Sequence, residues 1–181
     1  MDISGQFLAG GQHEVRILFR MEPEAAWYEQ LGRMVSAAAE LEGNLAYLAV
    51  RMTALGTGRM LDQWTEPWQR QAAKPVSASL KEIRKLSAKL RDEDTKRFLD
   101  ACSRAELLIA ERNRHVHSIT FTGIVSVPYG PVPIGRQHPK TGERSDLPAK
   151  DELAELTRAI KTESLVASQL SGTVDASVMG S

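Results

Sequence analysis

From about Glu24 to Leu55 the apolar residues recur every three or four positions: Trp27, Leu31, Met34/Val35, Ala38, Leu41, Leu45, Leu48 and Met52. That spacing is the helical period. It predicts one long helix of about eight to nine turns at 3.6 residues per turn. Pro23 suits the start of such a helix, and Gly56-Thr57-Gly58 suits its stop. A helix of this length with one apolar face needs partners to bury that face, so the chain reads as mainly α.

The rest of the chain supplies the partners. A short helix holding Met60, Leu61 and Trp64 fits before Pro67. Pro75 marks a boundary, and Ser79 and Glu82 have the spacing of a capping box. The next helix then runs to about Leu90, with Leu80, Ile83, Leu86 and Leu90 on its apolar side and Lys81, Lys85 and Lys89 projecting elsewhere. Asp92-Glu93-Asp94 places acids where a helix N-terminus favours them. The helix they open runs to about His117, with the stripe Phe98, Ala101/Cys102, Ala105, Leu108/Ile109, Arg112 and Val116.

Ile119 to Val127 is rich in β-branched residues and reads as a strand. Tyr129-Gly130-Pro131 and Lys140-Thr141-Gly142-Glu143 read as turns. A small β-hairpin at about 119–145 therefore precedes a last helix at 149–170, which carries Leu153, Leu156, Ile160, Leu165 and Val166. Residues 1–23 form an N-terminal extension with a short strand at Val15–Phe19. Residues 24–170 form a single helical domain, and 171–181 read as a flexible tail.

Composition narrows the function classes. A chain of 181 residues buries most of the surface its unfolded form exposes. The single cysteine, Cys102, excludes an internal disulfide framework and a cysteine-built zinc site. No apolar run reaches the length of a membrane span, and the start lacks the pattern of a signal peptide. The expectation is a cytoplasmic protein without a membrane partner. Twenty-three basic residues balance 23 acidic ones, which argues against nucleic-acid binding over the whole surface. Locally, Arg70 to Arg91 holds seven basic residues and one acid, an excess that attracts phosphate or simply faces solvent.

Two charged residues fall on apolar stripes. At about 100° per residue, Glu42 lies about +20° from Leu31, between Ala38 and Leu45. Arg112 lies at about −40° from Phe98, between Leu108 and Val116. A charge on a core-facing stripe needs a partner or a wet cleft. Glu42 and Arg112 are therefore expected to meet or to share a cleft, either as an ion pair aligning two helices or as part of a site.

Around Arg112 the chain reads Glu111-Arg112-Asn113-Arg114-His115-Val116-His117. Histidine exchanges protons near neutral pH. Arginine grips phosphate through two hydrogen bonds, and asparagine orients a substrate group. The plainer role is capping, since Arg and His near a helix C-terminus satisfy carbonyls and the dipole. Asn113 and His117 share one side of the helix, whereas Arg112 and His117 diverge by about 140° on an ideal helix. They converge only if the helix ends near His117 or a second copy faces it. Arg114 points away, and His115 sits at the stripe's edge. His115 and His117 diverge by about 160° and do not share an ion. No metal and no cofactor are expected, and no Gly-rich phosphate loop is present.

Arg112-Asn113-(three residues)-His117 resembles the Arg-polar-x-x-x-His signature of HEPN domains. Leu41-Glu42-Gly43-Asn44-Leu45 resembles the acidic helix position of many such proteins. The resemblance covers roughly residues 24–118, with the hairpin and last helix as an extension. It implies an up-down helical bundle and, in many members, a metal-independent endoribonuclease of toxin or antiphage systems. Two motifs then meet across the cleft of a homodimer. On that reading His117 is the general acid or base, Arg112 stabilises charge on the phosphate, and Asn113 positions the substrate or His117. Glu42 and His115 support the site, and Lys81, Arg84, Lys85 and Lys89 guide RNA. A cognate antitoxin or other protein regulator is a further implied partner. The alternative is a non-catalytic dimer that binds RNA, nucleotide or a protein. A third reading keeps Arg112 and Glu42 as a purely structural pair.

Overall fold

The computed structural model describes residues 25–56, 65–117, 119–123, 132–137, 144–145 and 148–179. The expected strand at 15–19 lies outside them. In chain order the elements are α1 (Ala25–Gly56), α2 (Thr65–Ala72), α3 (Val76–Ser87), α4 (Asp92–Val116), β1 (Ile119–Gly123), β2 (Val132–Gln137), β3 (Arg144–Ser145) and α5 (Lys150–Met179).

Among the described residues, every buried apolar side chain of the core lies on a helix. On α1 the inward face is Met34, Ala37, Ala38, Leu41, Leu45, Leu48, Ala49 and Met52, close to the stripe read from the sequence. Leu80, Ile83 and Leu86 of α3 join it, as do Phe98, Ala101, Cys102, Ala105 and Ile109 of α4. Three residues assigned to stripes are instead exposed: Val35, Val116 and Leu165. Val35 lies at the edge of its stripe, Val116 at the end of α4, and Leu165 about 120° round α5 from Leu153.

The last helix is the main correction. It does not extend a finished bundle: α5 is the partner against which α1 packs most extensively. The two run parallel and in register. The Trp27 indole, at the start of α1, donates to the Pro148 carbonyl just before α5 (2.9 Å). Farther along, Asn44 Nδ2 donates to Ser164 Oγ (2.8 Å). Alanines on α1 and the buried Ser164, Ala167 and Ser171 on α5 leave little side-chain bulk between the two backbones. Nor does α5 end near 170. It continues to Met179, and Leu170 and Val174 are buried, so the start of the expected flexible tail is part of the core.

Against α5, α4 runs antiparallel. Arg104 pairs with Glu163, while Arg97 and Asp100, earlier on α4, sit beside Gln169 and Leu170, later on α5. The three long helices thus alternate in direction, with α2 and α3 packed on α1.

The fold expected from the sequence, an up-down bundle carrying one small hairpin before the last helix, is corrected here too. Strands β1, β2 and β3 pair in that order as a three-stranded antiparallel sheet. A register irregularity between Phe121 and Thr122 interrupts the β1–β2 ladder. Of the strand expected from Ile119 to Val127, Ile119–Gly123 is observed as β1, and the rest lies outside the described residues.

Two shorter elements also differ. The segment expected to be helical at Met60–Trp64 lies outside the described residues. The one observed, Thr65–Ala72, takes Pro67 into its first turn, where a missing N–H costs nothing. The capping box at Ser79 is not used. Pro75 occupies the N-cap of α3, and the buried Ser79 hydroxyl accepts from Gln71 Nε2 (3.1 Å). α3 ends at Ser87, short of Leu90, as Leu90 N–H bonds back to the Ser87 carbonyl (2.9 Å).

Candidate functional site at the end of α4

The two charges on apolar stripes meet. Arg112 Nη2 donates to Glu42 Oε1 in an ion pair between α4 and α1. The arginine side chain is 16% exposed and the glutamate 35%. Arg112 Nε is buried with no hydrogen-bond partner among the described residues. The guanidinium is therefore oriented by one carboxylate and keeps a polar edge unused.

The segment Leu41-Glu42-Gly43-Asn44-Leu45 turns out to be a junction. Leu41 and Leu45 are core, and Glu42 reaches α4. The Gly43 carbonyl accepts from the Trp68 indole of α2 (3.1 Å), and Asn44 reaches α5. Successive residues of a helix point about 100° apart, so one turn can touch three different neighbours.

His117 lies just beyond α4. Its φ and ψ are −95° and 0°, and its backbone N–H donates to the Asn113 carbonyl (2.9 Å). Its ring is exposed, and Asn113 is half-buried. Among the described residues no side-chain hydrogen bond or ion pair joins His117 to Arg112 or Asn113. One chain thus holds the three motif residues on the last turn without closing them into a contact. Arg114 is exposed and pairs with Glu111 (3.3 Å).

His115 is not the edge residue the helical angles suggest. Its side chain is 1% exposed, and Nε2 lies 3.2 Å from Glu111 Oε1, one turn earlier. Glu152, in the first turn of α5, completes a group. The ligand atoms of Glu111, His115 and Glu152 all lie within 4.8 Å of one another. These three residues could hold a metal ion. The helical angles set His115 only against His117, and both glutamates were missed. The i,i+4 spacing of Glu111 and His115 was the available signal.

The basic stretch of 70–91 is largely neutralised. Arg84 pairs with Glu106 (2.6 Å), which raises the guanidinium pKa further. Lys85 lies 3.8 Å from Glu82 and Arg91 2.9 Å from Asp94, and Arg70 pairs with Glu66. Lys81 and Lys89 are exposed and take part in no ion pair among the described residues. Lys89 lies in the turn after α3, so Lys81, Lys85 and Lys89 do not form one continuous helical row.

Elsewhere on α4, Arg104 Nε donates to the buried Glu163 (2.8 Å), and that bond raises the arginine's pKa. Burial pushes the Cys102 thiol up to about 11, leaving it protonated and unreactive at neutral pH. No helix among the described residues is long and apolar enough to cross a membrane. No protein-family model matches the chain, and neither a curated protein nor a solved structure matches it.

Proposed function

We propose that the end of α4 is an RNA-phosphate site, and that two copies of the chain together form a metal-independent endoribonuclease acting in the cytoplasm. The observation that carries this reading is the Glu42–Arg112 pair. It fixes a partly exposed guanidinium five residues before an exposed histidine. The proposal rests on these residues and the motif they resemble, not on the fold.

In the proposed reaction, His117 of one copy takes the proton from a ribose 2′-hydroxyl. The 2′-oxygen bonds to the adjacent phosphorus, and the bond from phosphorus to the 5′-oxygen breaks. His117 of the second copy gives that oxygen a proton. Arg112 stabilises the extra negative charge on the phosphoryl oxygens, and Asn113 positions the substrate. Lys81 and Lys89, exposed and in no ion pair among the described residues, supply positive charge that attracts the strand. A toxin held by a protein antitoxin is a setting in which such an activity would be controlled.

The test is cleavage of a fluorescent RNA in the presence of EDTA. Losing one histidine's acid–base contribution lowers the rate by about 10²–10⁴-fold, and His117→Ala removes both histidines of the dimer, so its rate is expected to fall by at least that order. Full cleavage by this variant, or a wild-type protein that is monomeric under assay conditions, sinks the proposal. The low exposure of Arg112 favours a second reading, a dimer that binds RNA, nucleotide or protein without cleaving. RNA binding with no cleavage at any salt or metal concentration would establish it.

A further inference from the structure

We infer that Glu111, His115 and Glu152 form a binding site for one divalent transition-metal ion, with zinc the best-fitting probe. This inference is independent of the nuclease reading, which needs no metal.

The first argument is placement. Glu111 and His115 are four apart on α4, so both project from one side of the helix. Glu152 comes from the first turn of the antiparallel α5. A three-residue set drawn from two helices is a common way to build a metal site between helices.

Distance is the second. Atoms bound to neighbouring positions of tetrahedral zinc, each about 2.0–2.2 Å from the ion, are about 3.3–3.6 Å apart. His115 Nε2 and Glu111 Oε1 are 3.2 Å apart. The whole set spans no more than 4.8 Å, so small side-chain rotations bring the third ligand in.

Ligand chemistry is the third. An imidazole with two carboxylates suits zinc or manganese, whereas magnesium prefers oxygen alone. Two carboxylates balance the charge of a dication. His115 is enclosed, with its side chain 1% exposed, while Glu152 is exposed and gives the ion a route in. Among the described residues three contacts compete. Arg114 Nη2 lies 3.3 Å from Glu111 Oε2, and the Ala149 N–H donates to Glu152 Oε2 (3.3 Å). The third is His115 Nε2 on Glu111 Oε1 (3.2 Å), which an ion between the two atoms would replace. Arg114 is itself 61% exposed.

The experiment uses the full chain, stripped with EDTA and desalted. Bound metal is measured after gel filtration with added Zn²⁺, and affinity by titration. The expected result is one zinc per chain, with Mg²⁺ failing to bind at the same concentration. Glu152→Gln and His115→Gln are expected to weaken binding at least about tenfold, the lower end of what losing even a supporting partner of a metal ligand costs. His117→Ala should bind like the wild type. If His115→Gln does not fold, Glu152→Gln and Glu111→Gln decide alone. No retained zinc, equal binding of Mg²⁺, wild-type affinity in Glu152→Gln, or loss of zinc in His117→Ala would each overturn the assignment.

Discussion

Removing Glu42 leaves the Arg112 guanidinium without its carboxylate, and the size of the effect follows from exposure. Breaking a fully buried ion pair from one side costs about 3–5 kcal/mol, because a charge is stranded. Exposed pairs contribute about 0–1 kcal/mol. With Arg112 16% and Glu42 35% exposed, the pair lies between these limits. Arg112 Nε has no other partner to compensate. Glu42→Ala is therefore expected to cost about 2 kcal/mol. For a chain of this size that lowers the melting temperature by about 4–8 °C. Urea unfolding followed by circular dichroism reads the free energy directly. The double variant Glu42→Ala/Arg112→Met removes the stranded charge and should regain at least half of the loss. A Glu42→Ala loss under about 0.5 kcal/mol, the scale of a surface change, would refute the idea that α1 holds the guanidinium. So would a double variant that loses the plain sum of the single effects.

Phe98 is 1% exposed at the centre of the core, so Phe98→Ala should cost about 3–5 kcal/mol in the same unfolding experiment. Glu163 is buried while its partner Arg104 is about half exposed. Arg104→Ala strands the buried carboxylate, and its destabilisation should shrink when Glu163→Leu is added, as a double-mutant cycle would show. The Cys102 thiol is raised from 9.0 to about 11, so above pH 9 the unfolded chain loses this proton before the folded chain does. Stability should fall between pH 9 and 11 by roughly 2–3 kcal/mol, and Cys102→Ala should flatten that part of the profile.

Helix periodicity carried most of the fold. Leu41, Leu45, Leu48, Phe98 and Ile83 were identifiable because a 3.6-residue period sustained over long segments fits no strand. The importance of α5 was not, for two reasons. Its buried face includes Thr157, Glu163, Ser164 and Ser171, which no hydrophobic pattern marks as interior. Their polar atoms are satisfied locally or by another helix: Thr157 by the Leu153 carbonyl, Ser171 by the Ala167 carbonyl and Glu163 by Arg104. Leu165, which looked like a core residue, faces outward. Its neighbours Glu163 and Ser164 take the inner positions because α4 and α1 each offer them a partner.

The same distinction explains the site. Glu42 and Arg112 could be paired from the sequence because each broke an apolar stripe and needed an opposite charge. Glu152 broke nothing: an acid in the first turn of a helix is where the dipole favours one. Its approach to Glu111 and His115 exists only once α4 and α5 are packed. Once they are, the last turn of α4 is held by α1 through Arg112, and its Glu111–His115 face lies beside Glu152 of α5. That pair and the buried face of α4 set the rotation of the helix about its axis. Asn113, Arg114 and His117 are then set away from the core for reasons of packing alone. A metal ion joining α4 to α5 would stiffen that setting without touching the proposed reaction. Zinc binding and RNA cleavage should therefore separate cleanly, the first lost in Glu152→Gln and the second in His117→Ala.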